Sequence, residues 1–252
     1  MMTLYLTQYR AGFWGAMPAP LAVSAAVTVA FALLGRVVRG VSNSGAIAGG
    51  FICFMLLSCV GPSAFLVLFS LFVVTWIATR MGRARKQKLG TAERREGRTA
   101  AQVLANLSVA GACGLFYAVR ADSLWLIGLV AAMTEVATDT VASECGQAFG
   151  QQPRLITTFQ QVPAGTDGGI STAGTAFGVG GGLVIAMVAW RVGLIPARWV
   201  WLPMVAGFLG MLVDSGLGAW LERRGWLDNN QVNFAGTLIG ALTGLVLFRL
   251  LG

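Results

Sequence analysis

LWLIGLVAAMTEVATDTVASECG, residues 124–146, joins a long apolar run to three acidic side chains. The run has the length of about 20 residues that a transmembrane helix needs. Glu135, Asp139 and Glu144 lie in it, and ionisable groups at bilayer depth are costly unless they are paired, solvated or bound to metal. Glu135 and Asp139 share a helical face, where they repel unless a cation or a proton intervenes. Glu144 lies off that face, near Gly146, where we expect the helix to end. The alternative is a polar helix end among lipid headgroups.

Composition places the whole chain in a membrane. The 252 residues are 56% hydrophobic and 11% charged, with a mean hydropathy of +0.72, whereas soluble domains have about 25% charged residues. The 34 glycines favour close packing of helices in lipid. A net charge of +8 is explained by the positive-inside rule, so we expect no nucleic-acid partner.

The same composition limits the chemistry. The chain has no histidine and only two lysines, Lys86 and Lys88, and its four cysteines lack metal-ligand spacing. Histidine-based triads and His-ligated zinc sites are therefore excluded. Carboxylates with arginine and lysine partners remain, and this set points to Mg²⁺ and phosphates.

We predict an all-α, polytopic transmembrane bundle that forms a single domain over residues 1–252, after an interfacial lead-in at residues 1–17. Apolar runs predict about eight spans, with seven to nine as the range: 20–36, 45–60, 63–80, 100–118, 123–143, 172–192, 199–219 and 231–251. With alternating spans, 13 of the 18 Lys and Arg residues share one side and five, including Arg10, lie on the other. The first side is therefore predicted to be cytoplasmic, which in a bacterium means a protein of the inner membrane.

Four predicted spans carry polar groups at the cytoplasmic level. Asp139 ends the fifth, Asp214 the seventh, Asn233 begins the eighth and Asn106 lies early in the fourth. Polar residues that only pack against neighbouring helices would not be expected to lie at the same depth in the bilayer. We therefore expect one cavity, open to the cytoplasm.

Two cytoplasmic loops flank this cavity. Residues 80–98, RMGRARKQKLGTAERREGR, are strongly basic; they either fix topology against anionic lipid or form a rim that attracts a polyanion. Residues 150–171 contain Gly165, Thr166, Asp167 and Gly168. This segment matches no Walker or GxGxxG motif, and it is either a phosphate cradle or a plain turn with an Asp or Ser cap.

Five motifs resemble a membrane-protein family that includes the phytyl-phosphate kinase of plant tocopherol synthesis. They are GRTAAQVLAN (97–106), ATDTVASECG (137–146), PRLITTFQQVPAGTDGGIS (153–171), GMLVDSGLGA (210–219) and NNQVN (229–233). The resemblance implies phosphoryl transfer from a nucleoside triphosphate, with CTP favoured, to an isoprenyl monophosphate. Its motif positions imply a functional set of Asp139, Glu144, Arg154, Thr166, Asp167, Asp214 and Asn233. Asp167 departs from the GTSGG that the family pattern leads us to expect, and Cys145 from the ASEIG or ASELG pattern.

We therefore expect Asp139, Glu144 and Asp214, with Glu135 as a further ligand, to hold one or two Mg²⁺ ions, and Arg154 to act with them in catalysis. The expected nucleotide and phosphate ligands are Lys86, Lys88, Arg98, Asn106, Gly165, Thr166, Asp167, Gly168 and Asn233. Two alternatives stay open. A polyprenol kinase acting on the alcohol needs a base, for which Glu135, Asp139 or Asp167 is the candidate. A transporter or flippase of phosphorylated lipids uses acids and arginines in a central vestibule.

Overall fold

A computed structural model describes residues 18–252; the lead-in at residues 1–17, with Arg10, lies outside them. The helices in this part of the chain are α1 (Leu21–Val37), α2 (Asn43–Cys59), α3 (Pro62–Arg80), α4 (Arg83–Leu89), α5 (Ala100–Arg120), α6 (Leu124–Phe149), α7 (Thr172–Arg191), α8 (Trp201–Trp220) and α9 (Asn229–Leu251). Short 3₁₀ turns flank α8 at Ala197–Trp199 and Glu222–Arg224. Strands β1 (Arg154–Leu155) and β2 (Gly169–Ile170) pair antiparallel, with Arg154 opposite Ile170.

The predicted all-α membrane bundle is confirmed. An apolar helix lies at each of the eight predicted spans. Six of them, α3 and α5 to α9, are long and apolar enough to cross a bilayer. Helices α1 and α2 have 17 residues each, which is the lower limit for a span.

Helix α6 is the centre of the bundle. Every residue from Leu126 to Thr138 is buried, and the helix packs against α3, α5, α7, α8 and α9. Glycines of α7 permit its close approach: a Cβ at Gly178 would lie 2.5 Å from the carbonyl oxygen of Thr138. A helix that is buried all round presents its acids to protein instead of lipid.

The polar loops gather at one end of the bundle, which we call the capped end. There α2, α5, α7 and α9 begin at the capping residues Ser42, Thr99, Ser171 and Asp228. Ser171 is the kind of cap that one of the two alternatives for residues 150–171 requires. The loops also contact one another. The Ser42 N–H donates to the Arg98 carbonyl at 2.9 Å, and a Cβ at Gly165 would lie 2.5 Å from Thr91 Cγ2.

Helix α6 continues past Gly146 to Phe149, so the expected end near Gly146 is wrong. The reason is tertiary. The guanidinium of Arg85 in α4 donates to the carbonyls of Ala148 and Gly150 at 3.2 and 2.9 Å. A cation that satisfies terminal carbonyls stabilises the last turn of a helix.

Candidate functional site

The capped end contains a polar cavity of about 360 Å³ between α6, α8, α9 and the hairpin loop at residues 150–171. We call it the acidic cavity, because its lining includes Asp139, Glu144, Asp167, Asp214 and Glu222. Its volume lies in the range of small-molecule sites. Gly165, Thr166, Gly168 and Asn233 line it as well, so most of the predicted site residues are brought together here.

Asp139 of α6 and Asp214 of α8 interact electrostatically across this cavity. The Asp214 Oδ2 atom is buried and, among residues 18–252, has no hydrogen-bond partner. Two carboxylates that share one cavity repel unless a cation or a proton balances them. Arg98 interacts electrostatically with Asp139, so Asp214 Oδ2 is the atom of this pair that is best suited to a positively charged ligand.

Glu135 lies beneath the cavity, outside its lining, and is 1% exposed. Its Oε2 accepts a hydrogen bond from Thr237 at 2.8 Å. Glycines of α8 and α9 surround it so closely that an added Cβ would lie 2.5–3.0 Å from its atoms, at Gly207, Gly210, Gly236 and Gly240. The side chain predicted as a fourth metal ligand is thus enclosed by backbone.

Glu144 lines the cavity but already has two partners. Its Oε2 accepts from Lys86 Nζ at 2.6 Å, and its Oε1 accepts from Thr79 at 2.9 Å. Lys86 is buried and donates its other two hydrogens to the carbonyls of Ala78 and Thr79. All three donors of its ammonium group are therefore used by protein atoms.

The hairpin loop forms one wall of the acidic cavity. Thr166 donates its backbone N–H and its hydroxyl to the Pro163 carbonyl, at 3.2 and 2.8 Å. Gly165 has a φ of +88°, a conformation that favours glycine. Among residues 18–252, the backbone N–H groups of Gly165 and Asp167 donate no hydrogen bond. Free N–H groups in a turn of this kind bind anions.

The other predicted ligands lie elsewhere. Arg98 and Asn106 line a second cavity of about 100 Å³ between α1, α2, α3 and α5. Lys88 is exposed and lines neither cavity. Arg154 is also exposed and lies outside both cavities. Its guanidinium donates to the Phe159 carbonyl at 2.9 Å.

Sequence reasoning missed several cavity residues, among them Glu222, Asn229 and Thr91. Glu222 lies eight residues after Asp214, in the 3₁₀ turn that follows α8. Its position just after the predicted seventh span, at the level of the other acids, is the signal that could have found it. Asn229 begins the motif NNQVN, in which the family resemblance implies a functional role for Asn233. Thr91 reaches the cavity through its loop contact with Gly165, which the sequence does not signal.

Comparison with known proteins identifies the family. The family model described as integral membrane protein DUF92 matches residues 26–241. This chain is a DUF92 protein. An uncharacterized membrane protein of Synechocystis sp. is 36% identical over 73% of each chain, and one of Methanocaldococcus jannaschii is 32% identical over 90% of this chain and 94% of its own.

The chloroplastic protein VTE6 of Arabidopsis thaliana is 29% identical over 83% of this DUF92 chain and 66% of its own length. No solved structure matches the chain. The family resemblance that the five motifs indicate is thereby confirmed, and so is the assignment to integral membrane proteins.

The lining of the acidic cavity in this DUF92 protein can be compared with the ligands that the expected Mg²⁺ requires. In residues 18–252 no group of three His, Cys, Asp or Glu side chains is arranged to hold a metal. Mg²⁺ is usually held by one or two carboxylates together with waters and substrate phosphates. Asp139 and the unpartnered oxygen of Asp214 fit that role. The donors suit a cation that arrives with a polyphosphate, not one caged by protein alone.

Proposed function

We propose that this protein is a membrane kinase that transfers a phosphoryl group from a nucleoside triphosphate, with CTP favoured, to an isoprenyl monophosphate. The observation that carries the proposal is the meeting of Asp139 and Asp214 in one cavity beside a loop with free backbone N–H groups. Carboxylates that can hold Mg²⁺ and backbone N–H groups that can bind phosphate are parts that phosphoryl-transfer sites use, because positioning and charge neutralisation supply most of the catalysis.

In this proposal the loop N–H groups of Gly165 and Asp167 hold the nucleotide phosphates, and Asn233 supplies a further polar contact. Asp139 and Asp214 would hold Mg²⁺, which neutralises charge on the transferred group. An oxygen of the lipid phosphate attacks the γ-phosphorus, the bond from this phosphorus to the β,γ-bridging oxygen breaks, and the nucleoside diphosphate leaves with the electron pair. A phosphate with its second pKa near about 6 is already anionic, so no histidine base is needed.

The site also lies where a membrane-bound acceptor is accessible. Its acids are carried by α6 and α8, which are long and apolar enough to span a bilayer, while its loops belong to the capped end. We propose that this end faces the cytoplasm, where nucleoside triphosphates are available, because the basic residues concentrate there.

The test uses purified full-length protein with Mg²⁺ and each of CTP, ATP, GTP and UTP. Phytyl monophosphate and phytol are supplied in separate reactions. Formation of the diphosphate from the monophosphate is the expected result. A product from the alcohol alone would replace the proposal with a polyprenol kinase, and nucleotide turnover that is indifferent to lipid would contradict both.

A further inference from the structure

The second cavity has an apolar interior and a basic opening. Side chains such as Phe31, Leu68 and Phe72 line the interior, and α2 contributes Gly45 and Gly49. At the capped end the lining becomes basic, with Arg39, Arg80, Arg83, Arg94 and Arg98. We call this space the arginine cavity. Its division into an apolar body and a cationic mouth matches a molecule with a hydrocarbon chain and an anionic head.

Most of these guanidinium groups are available to a ligand. Arg80 stacks on the Trp76 ring at 4.4 Å and also donates to the Val38 carbonyl. Among residues 18–252, the side chains of Arg39, Arg83, Arg94 and Arg98 form no hydrogen bond or salt bridge.

The acid at this mouth, Glu93, does not pair with these arginine side chains. It accepts from Gln102 Nε2 at 3.2 Å and from the Arg94 backbone N–H at 2.9 Å. Arg98 interacts electrostatically with Asp139 but forms no salt bridge with it. Clustered arginines whose N–H groups are not held by acids are typical of sites for phosphate.

The arginine cavity adjoins the acidic cavity. Thr79 lines the former and donates to Glu144, which lines the latter. Arg98 lines the former and interacts electrostatically with Asp139 of the latter. A phosphate at the mouth of the arginine cavity therefore lies next to the carboxylates that would hold the nucleotide phosphates.

The size of the cavity selects among lipids. A cavity of about 100 Å³ is smaller than the sites of about 300–1,000 Å³ that enclose whole small molecules, so only the head and the first part of a chain lie inside it. A second chain would meet packed side chains such as Phe72 and Trp76. The head and the first part of one chain fit this space, whereas a bilayer phospholipid would bring two chains to it.

We propose that the arginine cavity is the acceptor site: the first part of the isoprenyl chain lies between α1, α2, α3 and α5, and the monophosphate contacts Arg39, Arg83, Arg94 and Arg98. The assignment deepens the proposed kinase function and rests on it for the identity of the acceptor. Two cavities that meet at their polar ends give donor and acceptor separate places, as in-line transfer requires.

The test blocks the apolar body with Gly49→Leu. A Cβ at Gly49 would have Val103 Cγ1, at 3.8 Å, as its neighbour, so the larger side chain can enter the cavity without displacing backbone. Gly180→Leu is the matched control, because Gly180 is exposed, lines neither cavity and, in the part of the chain that the structure describes, has no atom within 4 Å of an added Cβ.

Binding of radiolabelled phytyl monophosphate and of Mg²⁺-CTP is measured separately on the purified proteins. We expect Gly49→Leu to weaken lipid binding by roughly tenfold or more and to leave CTP binding unchanged, while Gly180→Leu changes neither. A Gly49→Leu protein that binds the lipid as tightly as wild type would overturn the assignment.

The double variant Arg83→Gln/Arg94→Gln tests the head independently. This variant should weaken the binding of phytyl monophosphate by roughly tenfold or more, because charge-assisted hydrogen bonds to the phosphate are lost. The binding of phytol should be unchanged. Equal loss for both ligands would contradict the phosphate contact. If phosphatidic acid competes for the site as strongly as unlabelled phytyl monophosphate does, the proposal of a single-chain ligand is contradicted. If inorganic phosphate by itself competes as strongly, the proposal that the ligand is a lipid is contradicted.

These outcomes separate the two proposals. If wild type makes no diphosphate yet binds phytyl monophosphate in a manner that Gly49→Leu abolishes, the kinase function fails and the lipid site stands. If wild type makes diphosphate and Gly49→Leu keeps a normal KM for the lipid, the lipid site fails and the kinase function stands.

Discussion

At the scale of single residues, Asp139 and Glu144 lie five residues apart on α6 but differ in their hydrogen-bond partners. Asp139 faces the acidic cavity and has no hydrogen bond among the described residues, whereas Glu144 is held by Lys86 and Thr79. Glu135 is enclosed by glycines. Residue type alone therefore does not assign a role; the number of partners does. A carboxylate that keeps an unpartnered oxygen is available for a ligand, and a saturated one is structural.

Asp214→Asn should remove phosphoryl transfer while preserving the fold. The exchange keeps the shape of the side chain but removes a charge, so we expect kcat to fall by about 10²–10³-fold, the usual effect of losing one electrostatic contact to a transition state. The melting temperature should stay the same or rise, because repulsion with Asp139 is relieved. Steady-state kinetics and thermal unfolding in detergent measure both.

Asp122→Asn is the control for that variant. Asp122 lies in the α5–α6 connection, away from both cavities, and its carboxylate accepts from the Leu124 N–H, a bond that asparagine retains. Wild-type turnover by Asp214→Asn would remove this residue from the proposed site.

Lys86→Met should destabilise the protein through Glu144. Removing one partner of a buried ion pair leaves the other charge uncompensated, and we expect a loss on the order of 3 kcal/mol, the lower end for such pairs, since the Glu144 side chain is 14% exposed. The double variant Lys86→Met/Glu144→Met should recover most of the stability.

Denaturant unfolding of the purified variants checks both expectations. If the double variant is as unstable as Lys86→Met alone, the ion pair is not the cause. The activity of the refolded double variant also decides whether Glu144 takes part in metal binding, as its motif position implies, because a structural residue can be replaced without loss of turnover.

At the scale of elements, the glycines of α8 and α9 determine where the acids of α6 lie. They let three helix backbones approach one another closely enough to enclose Glu135 and to bring Asp214 beside it. Around Gly236, an added Cβ would lie 2.8 Å from Glu135 Oε1 and 3.2 Å from Asp214 Oδ2. Small residues at helix interfaces are the general means of close packing in membranes, and here they also set the geometry of the site.

Gly236→Ala should therefore impair activity and stability together. The new methyl group would be forced against both acids, which costs about 1–3 kcal/mol for overpacking, and a shift of about 1 Å in a catalytic group can cost about 10²-fold in rate. Thermal unfolding and initial rates of transfer are the measurements.

The matched variant is Gly180→Ala, which has free space around its Cβ and should be neutral or stabilised by up to about 1 kcal/mol through helix propensity. Should Gly236→Ala behave in the same way as Gly180→Ala, the close approach around Glu135 would be irrelevant to function.

At the scale of the whole molecule, the basic loop and the hairpin loop close over the same end of the bundle. The sequence predicts two alternative roles for the basic segment 80–98, a topology determinant or a rim that attracts a polyanion. In the structure its residues have several different contacts. Arg85 caps α6 and Lys86 is buried beside Glu144, while Arg83, Arg94 and Arg98 line the arginine cavity. One strongly basic loop thus serves helix termination, packing and a candidate binding site.

The proposed orientation puts this end in the cytoplasm, as the distribution of basic residues predicts. In a cysteine-free background, Arg95→Cys at the capped end should react with a membrane-impermeant maleimide only in inverted vesicles. Ala197→Cys, exposed between α7 and α8, should react only in right-side-out vesicles. The reverse pattern would place the acidic cavity outside the cell and contradict a nucleotide-dependent function.

The sequence by itself determined the helices and their environment. Apolar runs of span length, N-capping residues such as Ser171 and the concentration of basic residues are local properties, so they could be recognised without coordinates. The convergence of Asp139 and Asp214 also followed from the sequence, because alternating spans fix the depth of each residue and both lie near the same end of their helices.

Only the tertiary structure decided which polar groups are free. Lys86 and Glu144 are 58 residues apart, and nothing local to either one signals their pairing. Glu135 and Asp139 share a helix face, yet the first meets glycines of α8 and α9 while the second meets a cavity. Depth in a bilayer follows from position along a helix, but partners depend on helix rotation and spacing, which arise from packing of the whole bundle.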